Sequence, residues 1–319
     1  MKSDTRILAI TGGVGGAKLS LGLAQLLPAE QLAFLVNTGD DFNHLGLHVS
    51  PDIDTLVYTL SGKANMETGW GRRDEGWKFM AALQELGGED WFSLGDKDLA
   101  MHIERTHLLA EGRSLTDVTA QLASALGISH PIFPMCNESL RTRVRTDDAI
   151  LDFQTYFVRE RCNPIVTGFD FEGAADTQMN SELVGWLREA PLTGIILCPS
   201  NPYVSIDPIL QVNGMRDFLK SSEAPVIAVS PVVGGDAIKG PTVKMMRELG
   251  VPNTAQSVAS HYADFLGGFV LDLEDQEHAA SIQEEGIATV VTQTVMRTLE
   301  NRVSLARDCL EFINQLSSR

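Results

Sequence analysis

Two acidic pairs stand close together in the first sixty residues. Asp40 and Asp41 lie in Thr38-Gly-Asp-Asp, and Asp52 and Asp54 lie in Ser50-Pro-Asp-Ile-Asp. Carboxylates gathered this densely repel one another unless something neutralises them. Hard oxygen donors of this kind suit Mg²⁺, which also takes substrate phosphates as ligands. Asp40, Asp41, Asp52 and Asp54 are therefore expected to converge on a metal; a pair of helix caps beside a solvated turn is the plainer alternative. His44 and His48 sit in the same stretch four residues apart, a spacing that carries no weight for zinc without a helix.

A second constellation is Gly12-Gly-Val-Gly-Gly-Ala-Lys18. Glycines between a strand and a helix let backbone N–H groups and the helix N-terminus meet a phosphate. No Ser or Thr follows Lys18, so this is not a Walker loop. Lysine stands where the dinucleotide fingerprint has its third glycine. Gly12, Gly13, Gly15, Gly16 and Lys18 are expected nucleotide contacts; a tight strand-to-helix turn is the alternative. Pro199-Ser-Asn-Pro202 and Ser230-Pro-Val-Val-Gly-Gly235 each follow an apolar run, which adds Ser200, Asn201, Gly234 and Gly235 to the same ligand crevice. Trp70, Trp77, Trp91 and Phe92, near Gly95-Asp-Lys-Asp98, could stack a flat heterocycle or simply pack a core. No Gly-x-Ser-x-Gly elbow is present, and no cysteine sits in an obvious nucleophile motif.

These residues need elements to hold them. Strand-like runs fall at about 6–11, 32–37, 194–198, 225–230 and 269–273, and the first is followed by helical periodicity that stops at Pro28. The βα rhythm predicts an α/β fold: a Rossmann-like, doubly wound, mainly parallel sheet with ligands at the carboxyl ends of its strands. Residues 62–160 break that rhythm. They read as a smaller, mostly helical insertion covering the acceptor site, with extended pieces at Ile132–Met135, Arg141–Arg145 and Leu151–Val158, inside a core made of 1–61 and 161–319.

The chain has 319 residues and a formal net charge of −17. Acid spread over the whole length disfavours nucleic acid and anionic membranes, both of which need a basic stripe. No apolar run approaches the length of a membrane span, and the start is too short and polar for a signal peptide. Cys136, Cys162, Cys198 and Cys309 form no CxxC pair, as expected for reduced thiols in a cytoplasmic protein.

Taken in order, GGVGGAK, VNTGDD, SPDID, LGDKDLAMHIER, FPMCNE, FQTYFV, PSNPYVSIDPIL, SPVVGG with KGP beyond it, and VLDLED resemble the 2-phospho-L-lactate transferases of coenzyme F-420 biosynthesis, from about Ile7 to Asp275. The resemblance implies a Mg²⁺-dependent homodimer. It implies transfer of a phosphate-linked acid (lactyl, enolpyruvyl or glyceryl) from a guanosine diphosphate donor to the ribityl hydroxyl of the deazaflavin Fo, with release of GMP. It places Asp54 at the ribityl chain close to the metal, with Asp40 and Asp54 as the expected catalytic carboxylates. It makes Ser93 an acceptor contact at a position where some relatives carry a basic residue. Two other readings compete. A non-catalytic nucleotide-sugar-binding regulator shares the first glycine loop and a PSNP-like turn. A nicotinamide dehydrogenase would need the third glycine and an acid where Asn37 ends the second strand.

Overall fold

The computed structural model describes residues 6–65, 69–237 and 240–318. Lys239 of the Lys-Gly-Pro motif lies outside the described residues.

Fourteen strands occur along the described chain: β1 (Ile7–Thr11), β2 (Leu32–Val36), β3 (Phe42–His44), β4 (Leu47–Val49), β5 (Ile132–Pro134), β6 (Arg141–Thr146), β7 (Ile150–Asp152), β8 (Val166–Glu172), β9 (Gly194–Leu197), β10 (Val226–Val229), β11 (Val232–Val233), β12 (Asp236–Ala237), β13 (Gly268–Asp272) and β14 (Ala288–Thr292). Seven of them form one sheet in the order β14-β13-β10-β9-β1-β2-β5, and every neighbouring pair is parallel. The inner strands are buried along their whole length, as a sheet covered by helices on both faces demands. Side chains alternate between the faces. Ile7 and Ala9 enter one core, with Leu19, Ile53 and Ile313; Leu8 and Ile10 enter the other, with Leu183, Ile209 and Val258.

The order of strand addition reverses between β1 and β9, and such a switch point opens a crevice at the carboxyl ends of the strands. Around it stand α1 (Gly13–Ala24), α2 (Pro51–Leu60) and, beyond α3 (Lys78–Glu85), α4 (Asp96–Ala110), all of which line the crevice except α3; α5 (Leu115–Ala125) packs on α4 and β5 instead. Pro51 occupies the first turn of α2, where its missing N–H costs nothing. Helix α1 is clamped between α2 and the C-terminal helix Leu299–Ser317.

All five expected strands are present. Two more were not expected in this sheet. β5 falls inside the 62–160 stretch, yet it pairs with β2 at the sheet edge, where its terminal Pro134 is tolerated. β14 is a half-buried edge strand against β13. Residues 151–158 were expected to be extended throughout. Only Ile150–Asp152 is a strand, and Thr155–Arg159 winds into a single π-helical turn. Strands β6, β7 and β8 make a separate antiparallel sheet.

Candidate functional site

A cavity of about 620 Å³ opens at the switch point, within the range of small-molecule sites. One corner is built by Gly12, Gly13, Val14, Gly15 and Lys18 from the β1–α1 turn and by Ser200 and Asn201 from the loop after β9. Gly13 has φ +65°, a conformation that glycine adopts without penalty. A Cβ on Gly12 would come within 2.7 Å of both Asp52 Oδ2 and Ser205 Cβ, and one on Gly15 would strike the Pro199 carbonyl oxygen. Gly16 does not line the cavity: it is buried where a Cβ would strike Thr11 Oγ1. The two loops are laced together, because Gly12 N donates to Ser200 Oγ (3.2 Å) and Ser200 Oγ donates to the Gly12 carbonyl (2.9 Å). The amides of Val14 and Gly15 lie in the first turn of α1, where a helix offers N–H groups no partner of its own. That is an anion-binding geometry.

Asn37, at the end of β2, organises the acids. Its Nδ2 lies within donating distance of Asp40 Oδ1 (3.1 Å), Asp52 Oδ2 (2.9 Å) and the Val204 carbonyl (3.2 Å), and its Oδ1 accepts from Gly39 N (2.8 Å). Asp52 Oδ1 also accepts from Gly13 N (2.7 Å), and Asp40 Oδ2 accepts from Gln154 Nε2 (3.2 Å). Both carboxylates are buried and line the cavity. Burial pushes the Asp52 carboxyl up to about 6, against the pull of Asn37 and Gly13. Burial, then repulsion from Asp52 and Asp41, raises Asp40 well above the usual carboxylate range.

The four aspartates do not form one cluster. Asp41 turns behind the site: its Oδ2 accepts from Ser50 Oγ (2.7 Å) and sits 3.0 Å from His48 Nε2, while its Oδ1 is buried without a partner. Asp54 lines the cavity, but both of its oxygens are held by the buried Arg105, with Nη1 to Oδ2 at 3.1 Å. Among the described residues, no group of three or more His, Cys, Asp or Glu side chains is arranged to hold a metal. What fits a divalent cation is the Asp40–Asp52 pair: two buried carboxylates that share one amide and face the phosphate corner, with Asp52 raising the proton affinity of Asp40. Mg²⁺ is commonly held by one or two carboxylates plus substrate phosphates. His44 and His48 do not converge. The His44 ring packs against Trp91, with centroids 5.1 Å apart.

Part of the lining is aromatic: Trp70, Trp91, Phe92, Phe153 and Phe157. Phe42 meets Phe92 edge-on at 4.8 Å, and Phe153 stacks on Phe157 at 5.5 Å. Ser93 lies beside them at the cavity. Trp77 is half exposed and does not line it. Ser230 and Pro231 reach the cavity, but Gly234 and Gly235 do not. They form the turn between β11 and β12, where Gly234 N donates to Asp275 and the Gly235 carbonyl accepts from Asn253.

Sequence reasoning gave no site role to Arg105, His102, Tyr58 or Gln154, and met Asp98 only as part of the Gly95–Asp98 turn. Asp98, Met101, His102 and Arg105 recur at helical spacing on one face of α4. Charged groups on the buried stripe of a helix were the available signal.

Comparison with known proteins agrees with this architecture. Residues 7–306 match the family described as 2-phospho-L-lactate transferase CofD. A phosphoenolpyruvate transferase of Kitasatospora aureofaciens is 36% identical over 318 residues, covering 98% of each chain. A 2-phospho-L-lactate transferase of Methanosarcina mazei is 34% identical over 300 residues, 94% of this chain and 98% of its own. The crystal structure of a UPF0052-family protein of Bacillus halodurans superposes with a TM-score of 0.61 at 14% identity, covering 97% of this chain and 100% of that one; at that identity the likeness concerns the fold alone. The fold, the motifs spread along it and relatives matched end to end lead to one assignment: the chain belongs to the 2-phospho-L-lactate transferase CofD family, a transferase family of coenzyme F-420 biosynthesis.

Proposed function

We propose that the protein transfers a phosphate-linked three-carbon acid from a guanosine diphosphate donor to the terminal ribityl hydroxyl of Fo, releasing GMP. The observation that carries this is the union, in one cavity, of a glycine-lined phosphate corner, a buried carboxylate pair and an aromatic wall. Phosphoryl transfer asks mainly for positioning and charge neutralisation, and needs no nucleophilic side chain. The hydroxyl oxygen forms a bond to the phosphorus that bears the acid, the bond from that phosphorus to the GMP oxygen breaks, and the hydroxyl proton passes to a carboxylate or to solvent.

The first-turn amides of α1, with Lys18, Ser200 and Asn201, bind the diphosphate. Asp40 and Asp52 would hold Mg²⁺, whose charge would offset the diphosphate and the departing GMP. Gln154 and Asn37 keep those two carboxylates aimed. The aromatic wall takes the deazaflavin ring. Asp54, held on both oxygens by Arg105, is suited to orient the attacking hydroxyl through a remaining lone pair. A cytoplasmic homodimer belongs to the same proposal and is carried by the family resemblance.

The test is an assay of the purified protein with Mg²⁺, Fo and each of the lactyl, enolpyruvyl and glyceryl donors in turn. GMP and a deazaflavin heavier by one phosphoacid unit should appear together with at least one donor. No transfer from any donor, or a co-purified nucleotide sugar in place of a guanosine nucleotide, would sink the proposal.

A further inference from the structure

The face shared by α2 and α4 is used by neither the phosphate corner nor the Asp40–Asp52 pair. Tyr58 stands one turn beyond Asp54 on α2, and His102 one turn beyond Asp98 on α4; all four line the cavity. Behind them Arg105 reaches past Asp54 to His102, with Nη1 3.2 Å from Nδ1. A guanidinium has only donors, so Nδ1 must accept and the ring proton sits on Nε2. That Nε2 is buried, has no aligned hydrogen-bond partner, and lies 3.1 Å from Asp98 Oδ2. The Tyr58 hydroxyl donates to Asp98 Oδ1. One spot on the cavity wall thus presents an N–H without an aligned acceptor, a carboxylate with lone pairs to spare, and a phenol oxygen whose proton is already given away.

Donors and acceptors set side by side complement a row of neighbouring hydroxyls, each of which gives one O–H and accepts one bond. A phosphate has acceptors to offer and would meet the carboxylates of Asp98 and Asp54. A flat apolar ring has no use for the polar groups. We infer that Tyr58, Asp98 and His102 grip the inner hydroxyls of a polyol chain on the acceptor and select acceptors that carry one. Arg105 is a positioning residue that fixes the His102 tautomer. The inference rests on the deazaflavin reading above and deepens it by naming what the site reads besides the ring.

The test measures acceptor binding by deazaflavin fluorescence, without donor or metal. Two probes are compared: Fo, and the same ring carrying a five-carbon chain with only its terminal hydroxyl. The wild type should bind Fo at least about tenfold more tightly, because the analogue leaves buried polar groups unpaired. Asp98→Asn and Tyr58→Phe, each checked by thermal unfolding, should lose most of that preference while binding the analogue as the wild type does. Equal binding of the two probes by the wild type overturns the inference, as does an intact preference in both variants. Binding of neither probe overturns the acceptor reading itself, so the two failures are told apart.

Discussion

Asp54 illustrates how one residue can serve position and stability together. It is buried, and its carboxylate is gripped on both oxygens by Arg105, itself among the most buried side chains of the protein. A forked pair of this kind fixes the carboxylate in orientation as well as charge. Removing one member of a buried ion pair strands the other, at a cost of about 3–5 kcal/mol. Asp54→Asn should therefore lower the denaturant midpoint as well as turnover. Arg105→Lys keeps the charge but loses the fork; it should cost less stability and still reduce turnover, because Asp54 is no longer held in place. Urea unfolding followed alongside steady-state kinetics checks both. An Asp54→Asn protein that unfolds at the wild-type midpoint would show that the pair bears no structural load.

At the scale of elements, the β1–α1 turn decides how closely the two sides of the crevice approach. Gly15 has an ordinary backbone conformation, so the demand on it is space: its missing side chain makes room for the Pro199 carbonyl. Gly15→Ala should push the 199–201 loop outward, weaken GDP binding, and cost about 1–3 kcal/mol as an overpacked contact does. Gly185→Ala, in the helix Ser181–Glu189 with open space around it, should leave GDP binding alone and stabilise by about 0.5–1 kcal/mol. Calorimetric titration with GDP and thermal melts of both variants would decide; wild-type GDP affinity in Gly15→Ala would remove this turn from the nucleotide site. The same elements explain what the sequence disclosed. Inner strands such as Ile7–Thr11 and Leu32–Val36 are legible because burial on both faces leaves unbroken apolar runs. β5 was read as an extended piece, but three residues ending in proline inside a helical stretch gave no sign that it joins the main sheet, and β14, a half-buried edge, lacks the signature of a buried strand. The aspartates were legible as a group but not in their division. The partner of Asp54 lies 51 residues away on α4, and that of Asp40 lies 114 residues away in the turn after β7. Tertiary contacts of that kind leave no local spacing to read.

For the molecule as a whole, the acids at the site and the charge of −17 act in the same direction. Self-repulsion grows as carboxylates ionise, so some loss of stability with rising pH is expected of the entire surface. The Asp40–Asp52 pair adds a local contribution that can be isolated. Burial lifts Asp52 to about 6 in the folded protein against 3.8 for the free group, and Asp40 is raised well above its ordinary value in the same sense. Between the unfolded and folded values the native state therefore binds more protons than the unfolded chain, and unfolding free energy falls as pH rises through that window. The stability that protonated Asp52 contributes below about pH 4 is lost as pH rises through about 6, and Asp40 adds to the loss in the same direction. For Asp52 a displacement of about two units corresponds to at most about 3 kcal/mol. A divalent cation between the two carboxylates would restore what deprotonation removes, and would do so only where they are ionised. In metal-free buffer, then, the wild-type melting temperature should drop between pH 5 and pH 7.5 more steeply than that of Asp52→Asn, in which the surface contribution remains and the local one is relieved. Millimolar Mg²⁺ should raise the wild-type melting temperature at pH 7.5, have little effect at pH 5, and have little effect on Asp52→Asn at either pH. Parallel pH slopes for the two proteins, together with no response to Mg²⁺ at pH 7.5, would show that this pair neither titrates as a strained unit nor holds the metal.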